Sequence, residues 1–304
     1  MSSAESVGFL GPAYASSLAE FGEPVELPAS GGWFLRRRLP GGAEMDGMGA
    51  YPYLVCRDWR RLGRDLDSLA GELISFAAAP DPFAPCGPAE LEAAFPDLMV
   101  EFKPHHVADL SRPLAEIVSR RARRYAERAL ETLEVEFHPQ PIALLEDWLG
   151  LFSHSVDRFG LSGIRAFSRA ALAQQMQIPG CLMSVARLGQ EVVAAHLWMT
   201  HAGAAYPYLA APGPRSNELR AAYALYYAGL RYFAGKVGWI DWGGEPGVAA
   251  SGTLGTFKQS FSTGVRPVYF CGRILDRERY DALCRRSGRT AARYFPAYRE
   301  GEFG

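Results

Sequence analysis

The sequence predicts an α+β chain of mixed, mostly antiparallel sheets with flanking helices, on three observations. First, Cys181–Ala211 reads CLMSVARL, EVVAAHLWMT and AAYPYLAA around two tight turns, Gly189-Gln190 and His201–Gly203. That is the pattern of a three-stranded antiparallel meander. Second, apolar residues recur at helical spacing elsewhere, as in Leu62, Leu66, Leu69 and Leu73. Third, the chain has 304 residues, 48% hydrophobic and 21% charged. This is an ordinary globular composition near the length at which one core stops growing. Two domains are therefore expected, 1–132 and 133–304, with the tail after about residue 272 packing back on the first.

Each element has its own reason. Trp33–Leu39 reads as a strand with arginines on its wet face, and Tyr51–Cys56 as a second, led in by a glycine-rich turn at Gly41–Gly49. Leu62–Leu73 is helical, Ile74–Ala79 a short buried strand, and Pro80–Pro88 a proline-rich loop. Ala89–Ala94 is a short helix and Met99–Lys103 a strand. Ser111 can cap a helix over Pro113–Leu130, with Pro113 in its first turn. Leu133–Phe137 alternates as a strand, and Ile142–Phe159 and Ile164–Gln177 are helices around Gly160 and Gly163. After the meander come a helix at Ser216–Ala234 capped by Ser216 or Asn217, a strand at Trp239–Trp242, a glycine-rich stretch, a strand at Val265–Cys271 and a helix at Asp276–Arg286.

Charge and cysteine usage exclude several classes. Thirty-two basic and 33 acidic residues give a net charge of -1, against a protein that coats nucleic acid over its whole surface. Only three of the basic residues are lysines, Lys103, Lys236 and Lys258; a genomic bias toward arginine explains the skew, yet it singles out each lysine. No long uncharged apolar run predicts a membrane span. The first residues lack a basic and apolar leader, so no signal peptide is expected. Five cysteines (Cys56, Cys86, Cys181, Cys271, Cys284) without CxxC pairing fit reduced thiols in a cytoplasmic protein and give no metal-ligand spacing. No metal site is expected, and with no Gly-x-Ser-x-Gly elbow and no base beside Cys181 or Cys271, covalent catalysis is disfavoured.

Strand, two helices, meander, helix, strand and a further strand is the element order of the GNAT acyltransferase fold. Within that fold, Asp241-Trp-Gly-Gly at a strand end, followed by Gly255-Thr-Phe-Lys-Gln-Ser-Phe261, resembles the Fem-type branch. That branch includes peptidyltransferases that build peptidoglycan cross-bridges from aminoacyl-tRNA. Asp109-Leu-Ser, with the helix Ser119-Arg-Arg-Ala-Arg-Arg-Tyr-Ala-Glu-Arg-Ala129, is similar to the branch's arginine-rich helix, and Asp46-Gly-Met-Gly-Ala-Tyr-Pro-Tyr53 to its acidic-aromatic segment. The resemblance runs from about Trp33 to Phe270 and implies two GNAT-like halves, the first degenerate, the second holding the donor site.

The resemblance implies roles for named residues. Lys258 stands by the donor's acyl ester or phosphates, with the Phe257 backbone beside it. A lysine is a compact point charge suited to that place; the alternative is an exposed cation at a loop-to-strand junction. Asp241 and Glu245 flank the glycine pair, either one a general base, an anchor for the amine or a turn acid. Gly243 and Gly244 permit close backbone approach to a ligand, or form a plain turn.

Other candidates come from the residues alone. Alternation puts Val192, Ala194 and His196 on one face, so His196 faces the cleft or is satisfied in the core. Tyr206 and Tyr208 share a face and line an acceptor pocket or simply pack. Asn217 is a helix cap or a ligand contact. Arg120, Arg124 and Arg128 form one helical stripe with Arg121 beside it, either solvated against Glu127, Glu131 and Glu134 or touching donor phosphate and tRNA. Arg36–Arg38 invites the same reading more weakly, and a pairing of His105 or His106 with Asp109 competes with turn chemistry.

Arg215–Arg220 (RSNELR) lacks the glycines of the pyrophosphate loop used by acetyl-CoA-dependent members. The expected activity is therefore direct attack of a small-molecule amine, such as a natural-product intermediate, on an aminoacyl-tRNA donor. No tightly bound cofactor is expected. Acyl-CoA as donor is the alternative, and a non-catalytic GNAT-like binding module the second class. Oligomeric state is not legible in the sequence.

Overall fold

A computed structural model describes residues 8–244, 252–289 and 294–302. In chain order its helices and strands are α1 (Pro12–Ser16), β1 (Glu23–Leu27), β2 (Gly32–Arg38), β3 (Met45–Gly49), α2 (Leu62–Ser68), β4 (Ser75–Ala78), α3 (Pro88–Ala94) and β5 (Leu98–Asp109). Then follow α4 (Leu114–Ile117), α5 (Arg120–Leu130), β6 (Glu134–His138), α6 (Leu145–Phe159), α7 (Arg169–Gln175), β7 (Cys181–Leu188), β8 (Glu191–His201) and β9 (Ala204–Pro212). The chain continues through α8 (Ala221–Phe233), β10 (Trp239–Asp241), α9 (Thr253–Gln259), β11 (Gly264–Ile274) and α10 (Arg277–Arg286). The predicted α+β class holds: antiparallel pairs dominate, with parallel pairing at β3/β4 and β9/β10. Among the described residues no helix is long and apolar enough to cross a membrane.

The chain divides into two compact units: one of residues 1–102, 162–167 and 268–304, the other of 103–161 and 168–267. The C-terminal tail thus lies in the first unit, and the arginine helix α5, placed by the sequence before a boundary at 132, lies in the second.

In the first unit the strands pair in the order β1-β2-β3-β4-β11. Phe34, Leu54, Trp59, Leu62, Leu66, Phe76 and Phe95 form its core. The tail is held by charge: the Arg299 guanidinium binds the buried Asp46 carboxylate at 2.5 and 2.9 Å, and Arg37 pairs with Glu302. Arg36 pairs with Glu23 and Glu72, so two members of the arginine triplet on β2 serve ion pairs and not a phosphate.

In the second unit the order is β5-β10-β9-β8-β7-β6. Helices α5 and α8 pack together, Ala129 clustering with Ala221 and Ala224, and Ala122 and Ala126 with Tyr226 and Leu230; the small residues let the backbones approach. Below them Trp198, Tyr226, Leu230, Phe233, Trp242 and Phe261 fill the core.

Several expectations are corrected. The turn expected at Gly41–Gly49 contains β3, and Tyr51–Cys56 holds only an isolated bridge from Leu54 to Pro80. Gly47 and Gly49 are there for packing: a Cβ would stand 2.5 Å from the Phe76 ring and 2.8 Å from the Ala78 methyl. The helix expected over Pro113–Leu130 breaks at Val118, which is extended; Ser119, not Ser111, caps α5 by accepting from Ala122 N–H at 3.2 Å. The helix expected from Ser216 starts at Ala221, after Arg220 in the left-handed region at φ 54°. Bulges in the meander break simple alternation, and His105-His106 lies on β5, not in a loop.

Candidate active site

The site is built where β10 leaves β9. Their parallel pairing is confined to Trp239↔Ala204 and Ile240↔Ala205. On its other side β10 stays paired with β5, Asp241 opposite Val107, and the ladder continues as Trp242 N–H donates to the His106 carbonyl at 2.9 Å. This places Lys103 and His105 of β5 beside the chain that runs from Asp241 to Gly244.

Asp241 is 2% exposed. Its carboxylate accepts from His105 Nδ1 at 2.9 and 3.1 Å and from the Gly243 N–H at 2.8 Å. A carboxylate only accepts, so Nδ1 carries a proton, and in the neutral ring Nε2 carries the lone pair. The anticipated partner of this histidine pair, Asp109, is engaged elsewhere, accepting from the N–H and hydroxyl of Ser111 at 3.0 and 2.7 Å.

The glycine pair is required twice over. Gly243 sits at φ +75°, a conformation side chains disfavour. At Gly244 a Cβ would stand 2.7 Å from Lys103 Cδ, 3.0 Å from the Pro104 carbonyl oxygen and 3.1 Å from His105 Cδ2. Lys258, expected at a loop-to-strand junction as an exposed cation or a donor contact, lies instead in α9 and is buried at 9% exposure. Its Nζ donates to the Gly244 carbonyl at 2.6 Å. Two of the chain's three lysines therefore converge on Gly244. Burial pulls the Lys103 ammonium below its ordinary range, partly offset by the Asp241 charge.

Aromatic rings wall the site. Tyr226 stacks on Trp242 at 4.2 Å between centroids and meets Phe257 edge-on at 4.7 Å. Phe257 also packs on Tyr223 and Phe261. Burial, then the Asp241 charge, pushes the Tyr226 hydroxyl well above the usual phenol range. His196 meets Tyr226 and Trp198 edge-on at 5.5 and 5.9 Å, and its Nδ1 has no hydrogen-bond partner among the described residues. Burial first, and the Lys258 charge second, push its pKa down to about 3, so the ring is neutral at physiological pH. It shares no face with Val192: opposite β7, Ala194 pairs with Ala186 and Val192 with Arg187, so an extra residue on β8 reverses the side between them.

The remaining candidates are elsewhere in this unit. Tyr206 is buried, and Tyr208 donates its hydroxyl to Gln175 Oε1 at 2.8 Å. Between the pairs Leu197↔Leu209 and Met199↔Tyr206, one residue of β8 stands against two of β9, so a bulge separates Tyr206 from Tyr208 and the shared face is lost. Asn217 caps no helix; its carbonyl accepts from Arg220 N–H in the turn before α8. Arg120, Arg121, Arg124 and Arg128 are exposed on α5. Glu245 lies outside the described residues.

Around α5 the structure adds two residues that the stripe did not name. The guanidinium carbons of Arg220, Arg121 and Arg124 lie 4.2, 5.4 and 5.8 Å from the centre of the Tyr125 ring. The hydrogen bond from Arg121 and the three positive charges hold the Tyr125 hydroxyl below the ordinary phenol range. Tyr125 meets Tyr223, which meets Phe257, so rings in contact link the arginine cluster to the Phe257-Lys258 pair.

No thiol competes as a nucleophile. Burial pushes Cys181 and Cys271 up to about 12, where the thiolate is negligible at neutral pH.

Comparison with known proteins bears on the fold. A family model described as an acetyltransferase (GNAT) domain matches residues 118–250. Among solved structures, that of FemX superposes with a TM-score of 0.66 at 13% identity, covering 90% of this chain and 93% of that one. L-PGS from Bacillus licheniformis gives 0.57 at 12% identity over 90% and 94%. A conserved protein of unknown function from Bacteroides thetaiotaomicron gives 0.58 at 14% over 86% and 90%. At these identities the likeness is one of fold. No curated protein matches in sequence.

Proposed function

From the premise that the chain is a GNAT-type acyltransferase with a Fem-like fold, we propose that it joins an acyl group to the amine of a small molecule, with aminoacyl-tRNA as donor. The carrying observation is the Lys258 ammonium, buried and hydrogen-bonded to the Gly244 carbonyl beside the Asp241–His105 pair. Acyl transfer from an ester to an amine passes through a tetrahedral oxyanion. A desolvated lysine next to a glycine backbone supplies fixed positive charge where that oxygen develops, and costs little reorganisation during the step. The wall of Tyr226, Trp242 and Phe257 keeps water from the ester.

The donor assignment draws on the cluster around Tyr125. A tyrosine ring ringed by three guanidinium groups suits a single-stranded nucleic acid end, where a base stacks and phosphates pair with arginine. Arg120 and Arg128 extend the positive stripe along the same helix. His196, Tyr206, Tyr208 and Asn217 remain candidate acceptor contacts; of these His196 has the best case, since its Nδ1 is buried and without a partner among the described residues. The acceptor is a soluble metabolite and the reaction cytoplasmic, where charged tRNA is made. The acyl-CoA alternative is favoured by the matched domain being described as an acetyltransferase.

The deciding experiment incubates the protein separately with charged tRNA and with acyl-CoA mixtures, in the presence of an amine panel, and reads product mass. Amide formation that depends on charged tRNA and is abolished by RNase supports the proposal. Full activity with acyl-CoA in RNA-free solution overturns the donor assignment.

A further inference from the structure

We propose that His105 is the base of the reaction, its Nε2 taking the proton of the attacking amine while Asp241 holds the ring. This deepens the acyl-transfer reading and does not depend on which donor is used. Neither the arginine cluster nor the glycine pair supplies a proton acceptor, and an amine that attacks an acyl carbon must lose a proton to end as an amide. His105 is placed to take it. Its side chain is 5% exposed and that of Asp241 0%. The carboxylate is fixed from two sides, by His105 Nδ1 and by the Gly243 N–H, so the ring cannot swing without breaking its bonds to an anchored partner.

The orientation follows from the backbone. His105 Cδ2 would be 3.1 Å from a Cβ at Gly244, whose carbonyl receives Lys258 Nζ. The ring carbon next to Nε2 therefore packs against the glycine whose carbonyl holds the ammonium. Proton acceptor and positive charge lie on one short stretch of chain, the arrangement that attack and oxyanion formation require together. Among the described residues, the charged and titratable groups around the pair are Lys103 on β5, Asp241 on β10, Lys258 on α9, His196 on β8 and Tyr226 on α8. Of the two histidines here, His105 is the one joined to a carboxylate, that of Asp241.

In the step, the amine nitrogen bonds to the acyl carbon and its proton passes to His105 Nε2. The carbon–oxygen bond to tRNA, or the carbon–sulfur bond to CoA, then breaks. The leaving atom takes the proton back, and the imidazole is restored. No oxidant or further reactant is needed. Asp241 positions the ring, keeps the proton on Nδ1 and stabilises the transient imidazolium.

The test is the pH dependence of kcat/KM for amide formation, measured with charged tRNA and with acyl-CoA and read on the donor that turns over. Wild type shows an acidic limb. His105→Gln loses that limb and falls about a hundredfold at neutral pH, within the usual range for a lost general base. Asp241→Asn moves the limb and lowers kcat more than it raises KM. His105→Gly regains rate when imidazole is added, which a packing role does not predict. Circular dichroism screens each variant for folding, with His105→Asn as a second substitution. An acidic limb that survives in His105→Gln, or a uniform fall at every pH without imidazole rescue, overturns the proposal. Turnover with acyl-CoA alone would remove the tRNA donor yet leave the His105 result to be read unchanged.

Discussion

Lys258 is the residue whose loss reads the site most directly. Lys258→Ala removes the ammonium at the Gly244 carbonyl and leaves the aromatic wall in place. Amide formation should fall at least about tenfold, equivalent to about 1.4 kcal/mol of transition-state stabilisation. An unchanged rate in a folded variant would remove its assigned role. His196 gives a second prediction, in stability. Its folded pKa, about 3, lies below its ordinary 6.5, so between those values the unfolded chain binds the extra proton. Stability therefore rises with pH across that window and is lost as pH falls from 6.5 toward 3, by at most about 1.4 kcal/mol per pH unit. Urea unfolding between pH 7 and 4.5 should show a slope that His196→Gln removes; equal slopes would mean His196 is not buried as seen. At this scale the sequence was informative in an uneven way. Lys258 stood out because lysine is so rare in the chain. His105 did not, because its partner Asp241 is 136 positions away and a nearer acid, Asp109, offered a local alternative.

Elements were legible where side-chain period and turn chemistry agree. The meander β7–β8–β9 appears with both expected turns, and β4, β6, β10, β11 and α10 fall close to where apolar pattern placed them. One failure comes from glycine read as flexibility where it is required for contact. In β3, Gly47 and Gly49 lie under Phe76 and Ala78, so the strand looks like a turn on paper. The bulges in β8 and β9 were equally hidden, since one extra residue leaves composition untouched and reverses the facing of everything beyond it. The same strand β3 carries a testable interaction. Asp46 and Arg299 form a buried pair that fastens the tail to it, with Tyr298 also donating to Asp46 at 3.2 Å. Asp46→Ala leaves the buried guanidinium with the more exposed Glu302 and the Arg38 carbonyl as partners, and should destabilise the protein by about 2–3 kcal/mol, below the full cost of an unpaired buried charge. Chemical denaturation of the full chain measures this; a change below about 1 kcal/mol would show that the tail contributes little.

For the whole molecule, the balance of charge constrains how a nucleic acid could bind. A net charge of -1 gives no general attraction for phosphate, so affinity has to come from a local group of cations. The cluster around Tyr125 is such a group, with Arg121, Arg124 and Arg220 drawn from α5 and from the turn before α8. The sequence showed the α5 stripe but not Arg220, which reaches Tyr125 only because the start of α8 is displaced to Ala221 and Arg220 takes a left-handed conformation. Three arginines on a single strand release about 0.7 counterions each, so the logarithm of the tRNA association constant should fall against the logarithm of salt with a slope of about -2. Adding Arg120 and Arg128 would steepen it to about -3.5. Arg220→Ala should make the slope shallower by about 0.7 and weaken binding of all charged tRNAs alike, because phosphate contacts carry no sequence information. Tyr125→Ala should weaken binding with the slope unchanged, since stacking releases no counterions. Filter-binding titrations of charged tRNA over a salt series distinguish the two variants. A slope near zero in wild type would place the donor's phosphates away from α5 and shift the donor assignment toward acyl-CoA.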